Sequence, residues 1–215
     1  MSSIALIPVK SLTEAKRRLA RELNPRERRV LVIAMLEDVL TALGKSRAFP
    51  EIYIISPDQS LARTASQHRA GFIRQKGAGL NAAIRQAERY LSRKRASSVT
   101  TVLADLPLAG PSDFGELARI GGQSRRVVLA PSLKGGTNVM LRVPPNAIKT
   151  SYGRWSYAKH LRAGQGKNLP VYSISNTRLS FDVDTVEDLR VLLDLDRSSR
   201  TSAARVARKL LSIHN

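Results

Sequence analysis

Short apolar runs alternate with amphipathic stretches along most of this chain, and that alternation limits the possible folds more than any other feature. The runs lie at residues 4–9, 52–55, 99–104, 127–130, 139–143 and 171–174. Each is rich in Val, Ile, Leu or Ala and short, as strands covered on both faces are. Helical patterns separate most of them. Asn24-Pro25-Arg26-Glu27 carries the signature of a helix start, with Asn24 as cap, Pro25 at the first helical position and Glu27 closing a capping box. Val30, Leu31, Ala34, Val39, Leu40 and Leu43 then lie mostly along one face, and Gly44 is the expected stop. Further helices are expected over 60–69, 81–95, 155–163, 185–194 and 202–213. Strands alternating with helices imply an α/β fold, a mostly parallel sheet with helices on both faces. We read one domain over 1–196 and a basic, helical C-terminal extension over 197–215.

Composition narrows the partners. Lys and Arg number 36 against 17 Asp and Glu, a formal net charge of +19. Such a field attracts anions: nucleotides, phosphorylated metabolites, nucleic acid or anionic lipid. Aromatic residues make up only 5% of the chain and no stacking motif for RNA is visible, so nucleic-acid binding stands as the rival from another class. No apolar run nears the roughly 20 residues of a spanning helix. The opening MSSIALIPVKSL lacks the basic and apolar regions of a signal peptide, so a cytoplasmic location without membrane association is expected. The absence of cysteine excludes disulfides, thiolate metal sites and cysteine nucleophiles.

Ligands in open α/β sheets sit beyond the carboxyl ends of strands, which gives five polar clusters their interest. The first strand delivers Pro8 and Lys10 to the sheet edge, and Lys10, Lys16 and Arg17 can surround a triphosphate or form an ordinary basic loop. The glycine pattern of a Walker A loop is missing. Gly77-Ala78-Gly79-Leu80-Asn81 permits close backbone approach, with Asn81 able to meet a base or ribose; it also reads as a plain turn. Asp105, in Leu103-Ala104-Asp105-Leu106-Pro107, can hold Mg²⁺ or merely end a strand. Asp182 and Asp184, two apart in an extended segment, face one side, where a divalent ion relieves their repulsion; helix capping by Asp184 or Thr185 is compatible with that. Last, Thr137 and Ser156, in Gly135-Gly136-Thr137-Asn138 and Tyr152-Gly153-Arg154-Trp155-Ser156-Tyr157, can bind a carboxylate or phosphate. His160 follows without an evident partner.

Taken in order, I-P-V-K…A-K-x-R-L, S-P-D, G-L-N-A-A-I, A-D-L-P, G-G-T-N, Y-G-x-x-S-Y-x-x-H and D-V-D-T-x-E-D-L resemble the 2-phospho-L-lactate guanylyltransferase (CofC) family, phosphoenolpyruvate guanylyltransferases included. The resemblance runs from Ile7 to about Leu193. It implies a GT-A-like, Rossmann-related nucleotidyltransferase fold, GTP as donor, Mg²⁺ dependence, and a place in making a deazaflavin coenzyme. It puts Pro8, Lys10, Lys16 and Arg17 about the nucleotide phosphates, Leu80 and Asn81 at guanine or ribose, and Thr137, Asn138, Gly153 and Ser156 at the phosphorylated acid. Asp105, Asp182 and Asp184 fall at the metal-binding carboxylates, with Lys10, Lys16 and Asp105 as the catalytic set. Ser11 stands where a proline is usual and Arg17 where a small residue is common. The expected reaction transfers GMP to 2-phospho-L-lactate and releases pyrophosphate, with phosphoenolpyruvate and 3-phospho-D-glycerate as alternative acceptors. A homodimer and hand-off of product to a downstream transferase complete the expectations. A sugar-nucleotide transferase would carry a G-x-G-x-R signature where I-P-V-K-S-L stands.

Overall fold

The structure, a computed structural model, describes residues 3–122 and 124–213. Among the described residues seven strands make one sheet: β1 (Ser3–Pro8), β2 (Glu51–Ser56), β3 (Gly71–Arg74), β4 (Ser98–Val102), β5 (Arg126–Pro131), β6 (Thr137–Val143) and β7 (Val171–Ser173). Their spatial order is β3-β2-β1-β4-β6-β5-β7. β1 pairs in parallel with β2 and β4, β2 with β3, and β5 with β7, while β6 runs antiparallel between β4 and β5. The mixed, mostly parallel sheet is the expected one. The reversal at β6 has a local cause: Gly135 adopts φ 77°, and the Ser132 N–H donates to the Gly136 carbonyl at 2.9 Å, closing a tight hairpin. The hairpin brings Ser132, Lys134, Thr137 and Asn138 to the sheet end where β1 and β4 finish.

Among the described residues eight α-helices accompany the sheet: α1 (Pro25–Ser46), α2 (Leu61–Gln67), α3 (Leu80–Leu91), α4 (Pro111–Gly121), α5 (Ser156–Gln165), α6 (Thr177–Ser180), α7 (Val186–Leu195) and α8 (Ser202–Ile213). Side chains of β1 show how two cores arise. Ala5 and Ile7 join one cluster with Leu36, Phe114, Leu189 and Ala207; Ile4 and Leu6 join another with Ile84 and Met140. Successive strand residues point to opposite faces, so a continuous apolar run serves both. Among the described residues no helix is long and apolar enough to cross a membrane.

α1 starts as its sequence dictates. Asn24 Oδ1 accepts the Arg26 and Glu27 N–H groups at 2.9 and 3.1 Å, and Glu27 Oε2 accepts the Asn24 N–H at 2.8 Å. It does not stop at Gly44. It continues to Ser46, and Arg47 closes it in the left-handed region, donating to the Gly44 carbonyl. β3 and α4 were not anticipated. β3 has only four residues, and α4 has two large inward residues, Phe114 and Leu117. The signals for α4 are Pro111 at its start and Asp113, whose Oδ2 accepts the Gly110 N–H at 2.8 Å. The helix within 197–215 forms as α8 and is packed into the domain; positions 214 and 215 lie outside the described residues. Ala203, Ala204, Ala207 and Leu210 belong to the first core. Asp38 of α1 accepts the Ser202 and Ala203 N–H groups at 2.7 and 2.8 Å, tying the start of α8 to α1.

One cation lies deep beneath the sheet. Arg142 of β6 is 1% exposed, and its Nη2 lies 2.6 Å from Glu88 Oε1 of α3. Removing one partner of a buried pair leaves an uncompensated charge. Glu88→Ala should therefore lower unfolding stability by about 3 kcal/mol in urea titrations. A loss below about 1 kcal/mol would show that Arg142 is satisfied by other groups.

Candidate active site

Four carboxylates and two ammonium groups meet beyond the carboxyl end of β4. Lys16, left-handed at φ 53°, reaches back over β1. Its Nζ lies 2.6 Å from Asp105 Oδ2 and 2.8 Å from Asp184 Oδ1. Lys134, on the β5–β6 hairpin, lies 2.8 Å from Asp188 Oδ2, 3.7 Å from Asp182 Oδ2 and 4.0 Å from Asp184 Oδ2. Asp182 is further held by Ser132, whose hydroxyl donates to Oδ1 at 2.5 Å, and by Asn138 Nδ2 at 3.5 Å. Asp188 accepts the backbone N–H groups of Asp184 and Thr185, which fixes the turn carrying the acidic pair onto α7.

The electrostatics follow from these contacts. Burial opposes the Lys16 ammonium, yet the charges of Asp105 and Asp184 and their hydrogen bonds outweigh it and raise its pKa. Burial likewise pushes Asp184 up, but Lys16, Lys134 and Arg18 together bring it below the usual carboxylate value. Asp182 moves the other way. Burial raises it, the Asp105 and Asp184 charges add to that, and the Ser132 hydrogen bond and Lys134 do not fully compensate. Asp105 Oδ1 is buried without a hydrogen-bond partner. An unpartnered carboxylate oxygen near a carboxylate short of positive charge suits a hard divalent cation. Among the described residues no three acidic or histidine side chains already converge as a set of ligands. Lys16 and Lys134 stand between them instead.

Two clefts lie at this end of the sheet, and Asp105, Asp182 and Asp184 line the second of them. The first, ≈ 510 Å³, is lined by Pro8, Lys10, Arg17, Gly77, Gly79 and Leu80 among others. The second, ≈ 590 Å³, is lined by the acidic centre together with Lys134, Thr137, Gly153, Trp155 and Ser156. Lys10 and Leu80 line both, so the clefts meet there. Arg17 borders the first cleft while paired with Glu14 at 2.9 Å. Lys16, expected about nucleotide phosphates, bridges Asp105 and Asp184 in this structure.

The second cleft rests on a network of neutral groups. His160 is fully buried; its Nε2 accepts the Ser151 N–H at 2.8 Å. A neutral ring then carries its hydrogen on Nδ1, which donates to Thr137 Oγ1 at 3.0 Å. The Ser156 hydroxyl donates to the same oxygen at 3.3 Å. With two donors received, the Thr137 hydroxyl hydrogen is left for another acceptor. Burial, with the charges of Arg142 and Lys159, lowers the His160 pKa to about 4. Gly153 has φ 128°, a turn that disfavours side chains.

Two expected ligands also bond to the protein itself. Asn138 is 1% exposed, and its Nδ2 donates to the Leu179 carbonyl at 2.9 Å as well as facing Asp182. It orients the acidic centre while also lining the second cleft. Asn81 pairs both ends of its amide with Tyr152: Oδ1 accepts that residue's N–H at 2.8 Å, and Nδ2 donates to its carbonyl at 2.9 Å. One hydrogen and one lone pair of the amide are thus committed to the Tyr152 backbone. Sequence reasoning missed Lys134 and Ser132, while a packed rather than catalytic His160 agrees with its burial. Position just before G-G-T-N was the available signal, but nothing local marks Lys134 among so many cations.

Comparison with known proteins shows the family and the fold. Residues 3–210 match the family described as "Guanylyl transferase CofC like". A phosphoenolpyruvate guanylyltransferase of Roseiflexus sp. is 38% identical over 207 residues, 96% of this chain and 91% of that protein. A 2-phospho-L-lactate guanylyltransferase of Methanothermobacter thermautotrophicus is 33% identical over 190 residues, 88% of this chain and 83% of that protein. In fold, a nucleotidyl transferase structure from Methanothermobacter superposes with a TM-score of 0.66 at 12% identity, covering 92% of this chain and 99% of that one.

The buried imidazole makes stability pH-dependent. Its folded pKa of about 4 lies below the ordinary histidine value, so the unfolded chain takes up the proton first as pH falls. The His160 contribution is present above about pH 6.5 and is lost progressively toward pH 4, by up to about 3 kcal/mol. Urea unfolding at pH 7 and pH 4.5 should show a smaller pH-dependent loss in His160→Asn than in the unaltered protein. Equal losses would place the ring in a wetter setting than the structure does.

Proposed function

The chain belongs to the CofC-like guanylyltransferase family, and on that premise we propose that it transfers GMP from GTP to a three-carbon acid bearing a phosphate, releasing pyrophosphate. The observation that carries this reading is the pair of clefts meeting at Lys10 above Asp105, one for each reactant. The first offers basic side chains and glycine backbone to a nucleotide. The second offers hydroxyls and the N-terminal end of α5 to a small anion. Between phosphoenolpyruvate and 2-phospho-L-lactate we favour phosphoenolpyruvate as acceptor; what supports this is the somewhat higher identity to the relative named for it. The two acids share the carboxylate and phosphate that such a pocket would grip, and a few contacts separate them.

The chemistry asks little of a general base. An oxygen of the acid's phosphate, already anionic at neutral pH, attacks the α-phosphorus of GTP. The bond to the α–β bridging oxygen breaks, and its electron pair leaves with pyrophosphate. The obstacle is repulsion between anions, so the residues act by positioning and by charge. Lys10, at the junction, faces both reactants. The Thr137 hydroxyl, oriented by His160 and Ser156, donates to the acid. Lys16 and Lys134 hold four carboxylates together against mutual repulsion. Mg²⁺ suits the unpartnered oxygen of Asp105 together with Asp182 and Asp184, and when bound it supplies further neutralisation at phosphate oxygens.

Pyrophosphate release should be measured with GTP and Mg²⁺ and, in separate reactions, phosphoenolpyruvate, 2-phospho-L-lactate and 3-phospho-D-glycerate. Release is expected with phosphoenolpyruvate most rapidly. Folded protein silent with all three acids would overturn the reading. Asp105→Asn should lower kcat by about 100-fold or more while leaving the thermal midpoint within a few degrees. Near-normal turnover in that variant would remove Asp105 from the reacting centre.

A further inference from the structure

Asn81 is the second residue of α3, directly after Leu80, which lines both clefts. One primary amide here pairs with both backbone groups of a residue 71 positions away, much as a neighbouring strand would. Asparagine is suited to this. It carries a donor and an acceptor on a short arm; aspartate would set a second acceptor against the Tyr152 carbonyl, and glutamine would move the amide one methylene farther out. The residues before Asn81 include Gly77 and Gly79 of the first cleft, and those after Tyr152 include Gly153 and Ser156 of the second. The clamp therefore spans the two.

The segment it holds has a second anchor next to the first. Ser151 is tied to His160 and Tyr152 to Asn81, and the Tyr152 ring packs edge-on against the His160 ring at 5.1 Å. His160 fixes the segment to α5. Asn81 fixes it to the start of α3, hence to the wall of the first cleft. Without Asn81 the Tyr152 backbone loses both of these partners, and the turn through Gly153 is released on the side facing the junction.

We propose that Asn81 is a positioning residue for the phosphorylated acid: it locks the 151–156 segment to the first turn of α3 and so sets the place of the second cleft relative to the first. This rests on the reading that the second cleft takes the acid. It gives Asn81 a task distinct from contacting guanine or ribose, and it makes the acid's affinity depend on a residue that does not touch it.

Asn81→Ala and Asn81→Asp, beside the unaltered protein, test this with steady-state kinetics and hydrogen exchange. Asn81→Ala should raise KM for the acid about tenfold, the loss of two ordinary hydrogen bonds, with KM for GTP within about twofold. Exchange at the Tyr152 amide should quicken while that in β6 stays unchanged. Asn81→Asp keeps an acceptor for that amide and should fall between the two. A rise confined to KM for GTP would make Asn81 a nucleotide ligand and overturn the proposal. So would unchanged exchange at Tyr152, whatever the kinetics. If the unaltered protein transfers GMP to none of the acids, the functional reading fails, and the acid-positioning role fails with it. The exchange data then report only whether Asn81 holds the segment.

Discussion

The bridge from Lys16 to Asp105 and Asp184 is the contact on which the rest of the site depends. Its partners lie 89 and 168 residues away along the chain, so it joins the first strand's loop, the end of β4 and the turn before α7. Without a cation between them, carboxylates arriving from separate segments would repel across a partly buried space. Lys16 adopts a left-handed backbone to reach them, a conformation that costs a residue with a side chain roughly 1 kcal/mol. Lys134 repeats the arrangement from the other side, with three carboxylates around one ammonium. The centre is thus assembled before any ligand arrives, with Asp182 and one oxygen of Asp105 left short of positive charge.

The hairpin between β5 and β6 decides what that centre faces. Running β6 against β4 places Thr137 and Asn138 beside the end of β4, next to Asp105. From there the scaffold sorts polar residues into those that meet ligand and those that hold others still. Asn138 steadies Asp182, His160 presents Thr137, and Asn81 grips Tyr152. Asn138 and His160 are buried, and Asn81 commits both ends of its amide to one backbone residue. A small polar cleft between two anionic reactants gains from such supports, because a group held in place loses little entropy when the ligand binds.

Local signals were legible where the physics is local. The cap at Asn24, the turn at Gly135 and the apolar runs of β1 and β4 depend on residues within a few positions of each other. The acidic residues at strand ends were legible for a similar reason, since a carboxylate there needs either solvent or a partner. β3 and α4 were harder to see because each has few inward side chains. Gly44 failed as a stop because the helix ends on a backbone reversal at Arg47, which carries no glycine.

The sequence by itself determined an α/β domain, its dominant positive charge, and the polar clusters that crowd one end of its sheet. Period-two and period-3.6 patterns and short-range capping are written in neighbouring residues. Only the tertiary structure decided that Lys16 bridges carboxylates, that Lys134 belongs to the centre, that α8 completes a core and that Asn81 clamps a backbone. These are pairings between distant segments. Their energy depends on which groups burial brings together, and no single stretch of chain contains both halves.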